Sequence, residues 1–275
     1  MPGLCPDWEI AGNRPHGLSV IRIGMRGIQE TFGAQGFYLA KRVYDGDLLA
    51  GMTTDFDRIV AQLITSGEDV NARWNRAEPG TTVVHTHNVQ QYSGVWLRAL
   101  LHEPFLDVAR EILGPDIVLH HTKLFLKFAE EGASFPMHQD WSYFPTEQDT
   151  MIAAVIHLTE ATDEMGCIRV YRGSHKRGRI ANSSGNTDSD EMREFPMDGA
   201  TVVEAEAGDV LFFHYCLVHG SPPNRSSKAR KTVLVQMHAG HDRLEGDGNA
   251  HPYEGLVLCG WNAFATRAWA NRSKA

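Results

Sequence analysis

Hydrophobic residues in this chain recur first at helical spacing and then, beyond residue 115, at strand spacing. Leu48, Met52, Phe56, Ile59, Val60 and Leu63 fall on one helical face, which predicts an amphipathic helix over 47–65. Asp45 or Asp47 can cap it and Gly67 can stop it. A short helix is expected over 93–102. A clearer one covers 103–113, with Pro104 in its first turn and Gly114-Pro115 behind it. Before these helices, 36–44 is rich in aromatic and β-branched residues and reads as a strand. Residues 1–34 lack a periodic signal and read as an irregular arm. Residues 68–92 are polar and read as loop.

From residue 116 the pattern is β. A long apolar run covers 117–128, and shorter ones lie at 151–158, 167–171, 200–204, 209–214, 216–219 and 231–239. Turn signals separate most of them, such as Glu164-Met-Gly166, Arg172-Gly-Ser174 and Pro222-Pro-Asn224. Many short punctuated strands predict a sandwich or barrel. The polar stretch 181–198 reads as a mobile surface loop, and the tail is expected to hold a short helix within 261–270. The expected whole is an all-β core with flanking helices in one domain, 1–275. Residues 1–115 are helical support, 116–240 the β core and 241–275 an extension.

Composition changes this picture little. The chain has 275 residues, 42% hydrophobic and 22% charged, ordinary for a globular domain of this size. A net charge of −8 argues against a nucleic-acid footprint, which would be basic. No apolar run is long enough to span a membrane. The first residues do not resemble a secretory leader. The four cysteines are scattered and without Cys-x-x-Cys, so reduced thiols in a cytoplasmic protein are expected.

The candidate chemistry lies in Phe135-Pro-Met-His-Gln-Asp-Trp-Ser-Tyr-Phe-Pro145, which holds the chain's only His-x-Asp, His138 and Asp140. In extended chain these two share a face and Gln139 points elsewhere. They are two parts of a facial triad, the two-histidine, one-carboxylate set that suits non-haem Fe(II). The third candidate ligand, His219, ends an apolar strand. The turn Gly-Ser-Pro-Pro-Asn224 follows, and the chain re-enters a strand through Arg230. Such a hairpin can face His219 and Arg230 into one pocket, where a guanidinium would grip a carboxylate in two-pronged fashion.

Taken together, His138-Gln-Asp140, Gly166-Cys-Ile-Arg-Val-Tyr-Arg-Gly-Ser-His-Lys-Arg-Gly178, Gly208-Asp-Val-Leu-Phe-Phe-His214, His219-Gly-Ser221, Asn224 and Arg230 resemble the phytanoyl-CoA dioxygenase family. The resemblance spans 36–240. It departs at Arg172, where the family commonly has proline. It implies a double-stranded β-helix (a cupin-like jelly roll) and a dioxygenase using Fe(II), 2-oxoglutarate and O2. It implies His138, Asp140 and His219 as iron ligands, Arg230 as partner of the far 2-oxoglutarate carboxylate, and Ser221 and Lys123 as further contacts to that cosubstrate. Gln139, Trp141 and Asn224 are candidate substrate contacts. The expected reaction is hydroxylation of an unactivated C–H in a small metabolite, releasing succinate and CO2, with a small-molecule substrate as partner and neither nucleic acid nor membrane. Desaturation, epoxidation or ring closure by the same iron is an alternative. A non-catalytic ligand-binding β-helix and a metal hydrolase are others, while Asp140 speaks against a halogenase.

Several histidines stand outside this pattern. His85-Thr-His87 reads as surface or structural rather than as a second metal site, because no acidic or cysteine partner is near in sequence. His175 and His214 read as structural; His121 and His157 can approach the pocket. The cluster Arg172, Lys176, Arg177 and Arg179 reads as a solvated turn.

Overall fold

The computed structural model describes residues 25–70, 83–130, 132–181, 189–246, 251 and 254–270. Helix α1 (Met25–Gln35) leads into strand β1 (Phe37–Ala40) and helix α2 (Gly46–Thr65). Strand β2 (Val83–His87) precedes helices α3 (Gly94–Leu100) and α4 (Glu103–Leu113). The long strand β3 (Ile117–Lys127) follows, then β4 (Phe135–His138), β5 (Ile152–His157), β6 (Ile168–Val170) and β7 (Thr201–Val203). Strands β8 (Val210–His214), β9 (His219–Ser221), β10 (Arg230–Ala239) and β11 (Val257–Cys259) complete the core.

Two antiparallel sheets result. The larger runs β1-β8-β5-β10-β3-β11, with β2 also paired to β3; the smaller runs β4-β9-β6-β7. Strand alternation sorts the larger sheet into two faces. Val233, Val235 and Met237 of β10, Leu124 and Leu126 of β3, and Val210 and Phe212 of β8 pack outward with Met52, Phe56, Ile59 and Leu63 of α2 and Trp96 of α3. The intervening residues face inward, toward the smaller sheet: Ala153, Val155, Leu211 and Phe213 meet Val170 and Val203 there. A buried carboxylate ties the helices together. Asp55 Oδ2 accepts from Trp96 Nε1 at 2.8 Å and Ser93 Oγ at 2.7 Å.

Most expected elements stand within one or two residues of their sequence bounds. Three differ. Residues 25–34, expected as irregular, belong to α1, whose Ile28 and Phe32 are buried. Residues 83–87, expected as loop, form β2: Val83 and Val84 are buried and the segment pairs with β3 in full register. Polar alternation hid a strand that completes the sheet's edge. Within 181–198, residues 190–193 form a helical turn capped by Ser189 Oγ and Met197–Gly199 a 3-10 turn; residues 182–188 of the expected mobile loop lie outside the described residues. The tail helix is confined to Arg267–Ala270.

Strand β3 carries one irregularity that matters later. Gln236 of β10 pairs with His121, but Met237 pairs with Leu119. His120 is therefore an extra residue, a β-bulge, and the inward–outward alternation restarts across it.

Candidate active site

Strands β4 and β9 pair antiparallel with His138 directly opposite His219, so the two imidazoles meet at a ring-centroid distance of 4.3 Å. Asp140 follows β4 at the head of a short 3-10 turn, held by its N–H donating to Tyr215 O at 2.8 Å. Its Oδ1 lies 3.4 Å from His138 Nε2 and 3.7 Å from His219 Nε2. One donor atom from each of the three residues lies within 4.8 Å of the others.

The surroundings fix how each ligand presents itself. His138 Nδ1 lies 2.7 Å from Pro136 O, and His219 Nδ1 lies 2.9 Å from Leu217 O. A carbonyl can only accept, so both rings carry their proton on Nδ1 and turn the Nε2 lone pair inward, the arrangement that orients metal-binding histidines. Asp140 Oδ2 accepts from Gln236 Nε2 at 2.7 Å, which leaves Oδ1 toward the two rings. Burial alone would raise the Asp140 carboxyl; His219, His138 and Lys123 outweigh it and hold the group down to about 2. Burial, assisted by His138, pushes His219 down to about 4. The set offers one carboxylate and two inward-turned imidazole nitrogens, which fits a divalent iron with open positions opposite.

A cavity of about 530 Å³ opens on this triad. One end is lined by Ser221, Arg230 and Thr232, the other by His85, His121 and Lys123, with Phe125, Tyr143 and Phe144 along the walls. Arg230 begins β10 opposite Lys127 of β3. Both are buried, and among the described residues neither pairs with a carboxylate. Arg230 donates from Nη1 to Gly166 O, while its Nε, also buried, lacks an acceptor. Lys127 Nζ donates to Ser221 Oγ and Pro222 O, each at 2.7 Å. Burial lowers Arg230 to about 10. Burial, then the nearby guanidinium, lowers Lys127 well below an ordinary lysine. Two desolvated cations without a counter-ion are costly, and a dianion with one carboxylate at this end would relieve both. Gly166, whose carbonyl accepts from Arg230, has φ +66 and packs against the Pro222 carbonyl, where a Cβ would not fit.

The structure thus gathers His138, Asp140, His219, Ser221, Arg230 and Lys123 around one cavity. It does not bring the three expected substrate contacts there. Gln139 is fully buried and braces loops, donating to Gly178 O and Cys216 O and accepting from Trp141 Nε1 and Ile180 N. Trp141 is engaged by that bond and by the Arg179 guanidinium over its ring. Asn224 is consumed by the final turn, donating to Phe128 O and Lys228 O and accepting from Ser226. Extended-chain alternation already turned Gln139 away from the metal face.

Two residues escaped sequence reading. Lys127, not only Lys123, faces the cavity side, and Gln236 holds the Asp140 carboxylate. Counting by two from Lys123 along β3, or from Arg230 along β10, reaches both. Lys123 itself stands opposite His87 and near Asp140, away from the Arg230 end.

A family model for phytanoyl-CoA dioxygenase (PhyH) matches residues 32–232. The chain belongs to the phytanoyl-CoA dioxygenase family. Within it, the chain is 31% identical over 170 residues to a probable alpha-ketoglutarate-dependent hypophosphite dioxygenase of Stutzerimonas stutzeri, covering 58% of each. It is 26% identical over 223 residues to the peroxisomal phytanoyl-CoA dioxygenase of Rattus norvegicus, covering 74% of this chain and 65% of that one. The chain spans about half to two thirds of the length of the first curated relatives it matches. Among solved structures, the alpha-ketoglutarate-dependent carbocyclase SnoK superposes with a TM-score of 0.70 at 20% identity, covering 84% of this chain and 92% of that one. Apo EctD from S. alaskensis gives 0.69 at 21% identity, covering 90% and 89%. These likenesses establish the phytanoyl-CoA dioxygenase family's double-stranded β-helix as the fold of this chain. Among the described residues, no helix is long and apolar enough to cross a membrane.

Proposed function

We propose that this protein is an Fe(II)- and 2-oxoglutarate-dependent dioxygenase that hydroxylates an unactivated C–H bond of a small organic molecule. The observation that carries the reading is the pairing, in one cavity, of an inward-facing His138–Asp140–His219 set with a buried Arg230–Lys127 end that has no carboxylate partner among the described residues. Bound iron and 2-oxoglutarate supply oxygen activation, with release of succinate and CO2.

The protein's own residues do the rest. Pro136 and Leu217 carbonyls hold the two imidazole tautomers, and Gln236 holds Asp140. Arg230, with Lys127 and the Ser221 hydroxyl that Lys127 holds, offers a set of donors that fixes the far carboxylate and so the cosubstrate's reach toward the metal. Phe125, Phe135, Phe213 and Leu234 exclude water from this end. The opposite end, with His85, His121, Lys123, Tyr143 and Phe144, is left for the substrate. Relatives are named for hypophosphite oxidation and for L-proline hydroxylation. Small polar substrates therefore head the panel to try.

The test is aerobic incubation with Fe(II), 2-oxoglutarate and that panel under ¹⁸O2, reading succinate and isotope in product. Hydroxylation predicts substrate-dependent succinate and one ¹⁸O in the product. Succinate with an unsaturated or cyclised product would replace hydroxylation by another oxidative outcome. No 2-oxoglutarate consumption with any substrate would favour a non-catalytic binding domain.

A further inference from the structure

A second group of histidines sits beside the cavity; His121 lines its substrate end, and none of the group belongs to the His138–Asp140–His219 set. His87 ends β2, opposite Lys123 of β3. His121 lies two residues before Lys123, on the same inward face. His251 comes from the segment after β10. The rings of His121 and His251 stack at a centroid distance of 4.3 Å and 17°, and His87 stands 5.1 Å from His251 and 5.7 Å from His121. The closest of these spacings equals that of the His138–His219 pair, 4.3 Å. One nitrogen from each of the three lies within 4.8 Å of the others.

Two further observations give the cluster the character of a ligand set. His121 is fully buried, and its Nε2 has no hydrogen-bond partner. Its Nδ1 lies 2.5 Å from Nδ1 of His120. Neighbouring strand residues normally point to opposite faces; the bulge at His120 lets the two rings meet. One of the two nitrogens must donate. If His121 donates, its Nε2 carries the lone pair, and His120 becomes the outer acceptor that metal-binding histidines customarily have.

We propose that His87, His121 and His251 form a second, carboxylate-free site for a divalent first-row cation, with Zn(II) the best fit. Three neutral imidazoles and one open position are a familiar zinc donor set, whereas Fe(II) and Mg(II) draw more from carboxylates. Burial, together with Lys123 and the neighbouring rings, holds His87 down to about 3, in keeping with an uncharged donor. The charged or titratable groups facing the cluster are Lys123, His85, His120 and, behind His120, His238. Of these only Lys123 is a lysine ammonium, its pKa lowered by burial and partly sustained by Asp140, and its positive charge opposes a cation. Removing it therefore tightens a metal site and weakens an anion site.

Zn(II) is measured by equilibrium dialysis with elemental analysis on the full chain, melting temperature being read in parallel. The expected result is two Zn(II) per wild-type chain. An Asp140→Ala/His219→Ala variant should keep one. His251→Ala and His87→Ala, which remove half-buried rings, should each keep the other one. Lys123→Met should lower the dissociation constant of the second ion. A single Zn(II) in wild type that persists in His251→Ala and His87→Ala, or two in folded His251→Ala and His87→Ala, overturns the proposal. So does a cluster that takes up inorganic phosphate and loses it in Lys123→Met, which marks an anion site. Loss of the triad's ion alone counts against the oxygenase site and leaves this one standing.

Discussion

Two three-residue clusters flank one cavity and differ by a carboxylate. His138, Asp140 and His219 are brought together by direct cross-strand pairing, and every outer nitrogen or oxygen that orients them is spoken for by backbone carbonyls or Gln236. His87, His121 and His251 come from two strands and a later segment, and a bulge is needed to place their outer partner. The lesson is one of charge. Asp140 supplies a negative charge that draws a cation despite nearby Lys123; the all-histidine cluster has only lone pairs to offer against the same ammonium. The first should bind metal more tightly and survive perturbation of its neighbours better.

The largest effect that would break this contrast is at the carboxylate itself. Asp140→Ala should lower 2-oxoglutarate turnover by more than about 100-fold, beyond the 10–100-fold typical of outer partners; steady-state succinate release checks it. Arg230→Ala comes next. Truncating one partner of a buried charged contact costs about 2–5 kcal/mol, so the dissociation constant for 2-oxoglutarate should rise about 30-fold or more, measured by anaerobic calorimetry with Fe(II) present. Gln236→Leu leaves Asp140 in place but frees Oδ2, and should weaken Fe(II) binding by about 10–100-fold. His120→Phe makes the matching change at the other cluster and should weaken Zn(II) there within the same range, with Fe(II) binding untouched.

The smallest effect concerns histidines of neither cluster and serves as the control. Burial, then Arg230, holds His157 down to about 4; burial, then His175, does the same to His214. Between the ordinary 6.5 and about 4 the unfolded chain binds these protons and the folded chain does not. Stability should therefore fall as pH drops through that window, by at most about 1.4 kcal/mol per pH unit for each group. Melting temperature of the metal-free protein from pH 7.5 to 4.5 should show the decline, and His157→Gln should make it shallower.

The contrast also explains what the sequence disclosed. His138 and Asp140 share one short segment, and His219 and Arg230 flank one turn, so spacing made them candidates and the resemblance to the phytanoyl-CoA dioxygenase family supplied their expected roles. Lys127 and Gln236 escaped that reading, although counting by two along β3 and β10 reaches both. The second cluster could not be read this way. His87 lies in a stretch whose polar pattern looked like loop, and becomes strand only because β3 offers an edge for it. The bulge at His120 depends on the register of β10, set more than a hundred residues later. Gln139, Trp141 and Asn224 sit close to the ligands in sequence, yet loops around Gly178 and Lys228 claim their side chains. Proximity along the chain is a good guide to ligands on paired strands and a poor one to the walls of the cavity between sheets.

The most direct measurement is an anaerobic titration of metal-free protein with Fe(II) and then 2-oxoglutarate, following visible absorption. Chelated iron should develop a weak metal-to-ligand charge-transfer band in wild type and in His87→Ala, and lose it in Asp140→Ala. A band that survives Asp140→Ala, or that wild type never shows with iron bound, would contradict the assignment of His138, Asp140 and His219 as the oxygenase centre.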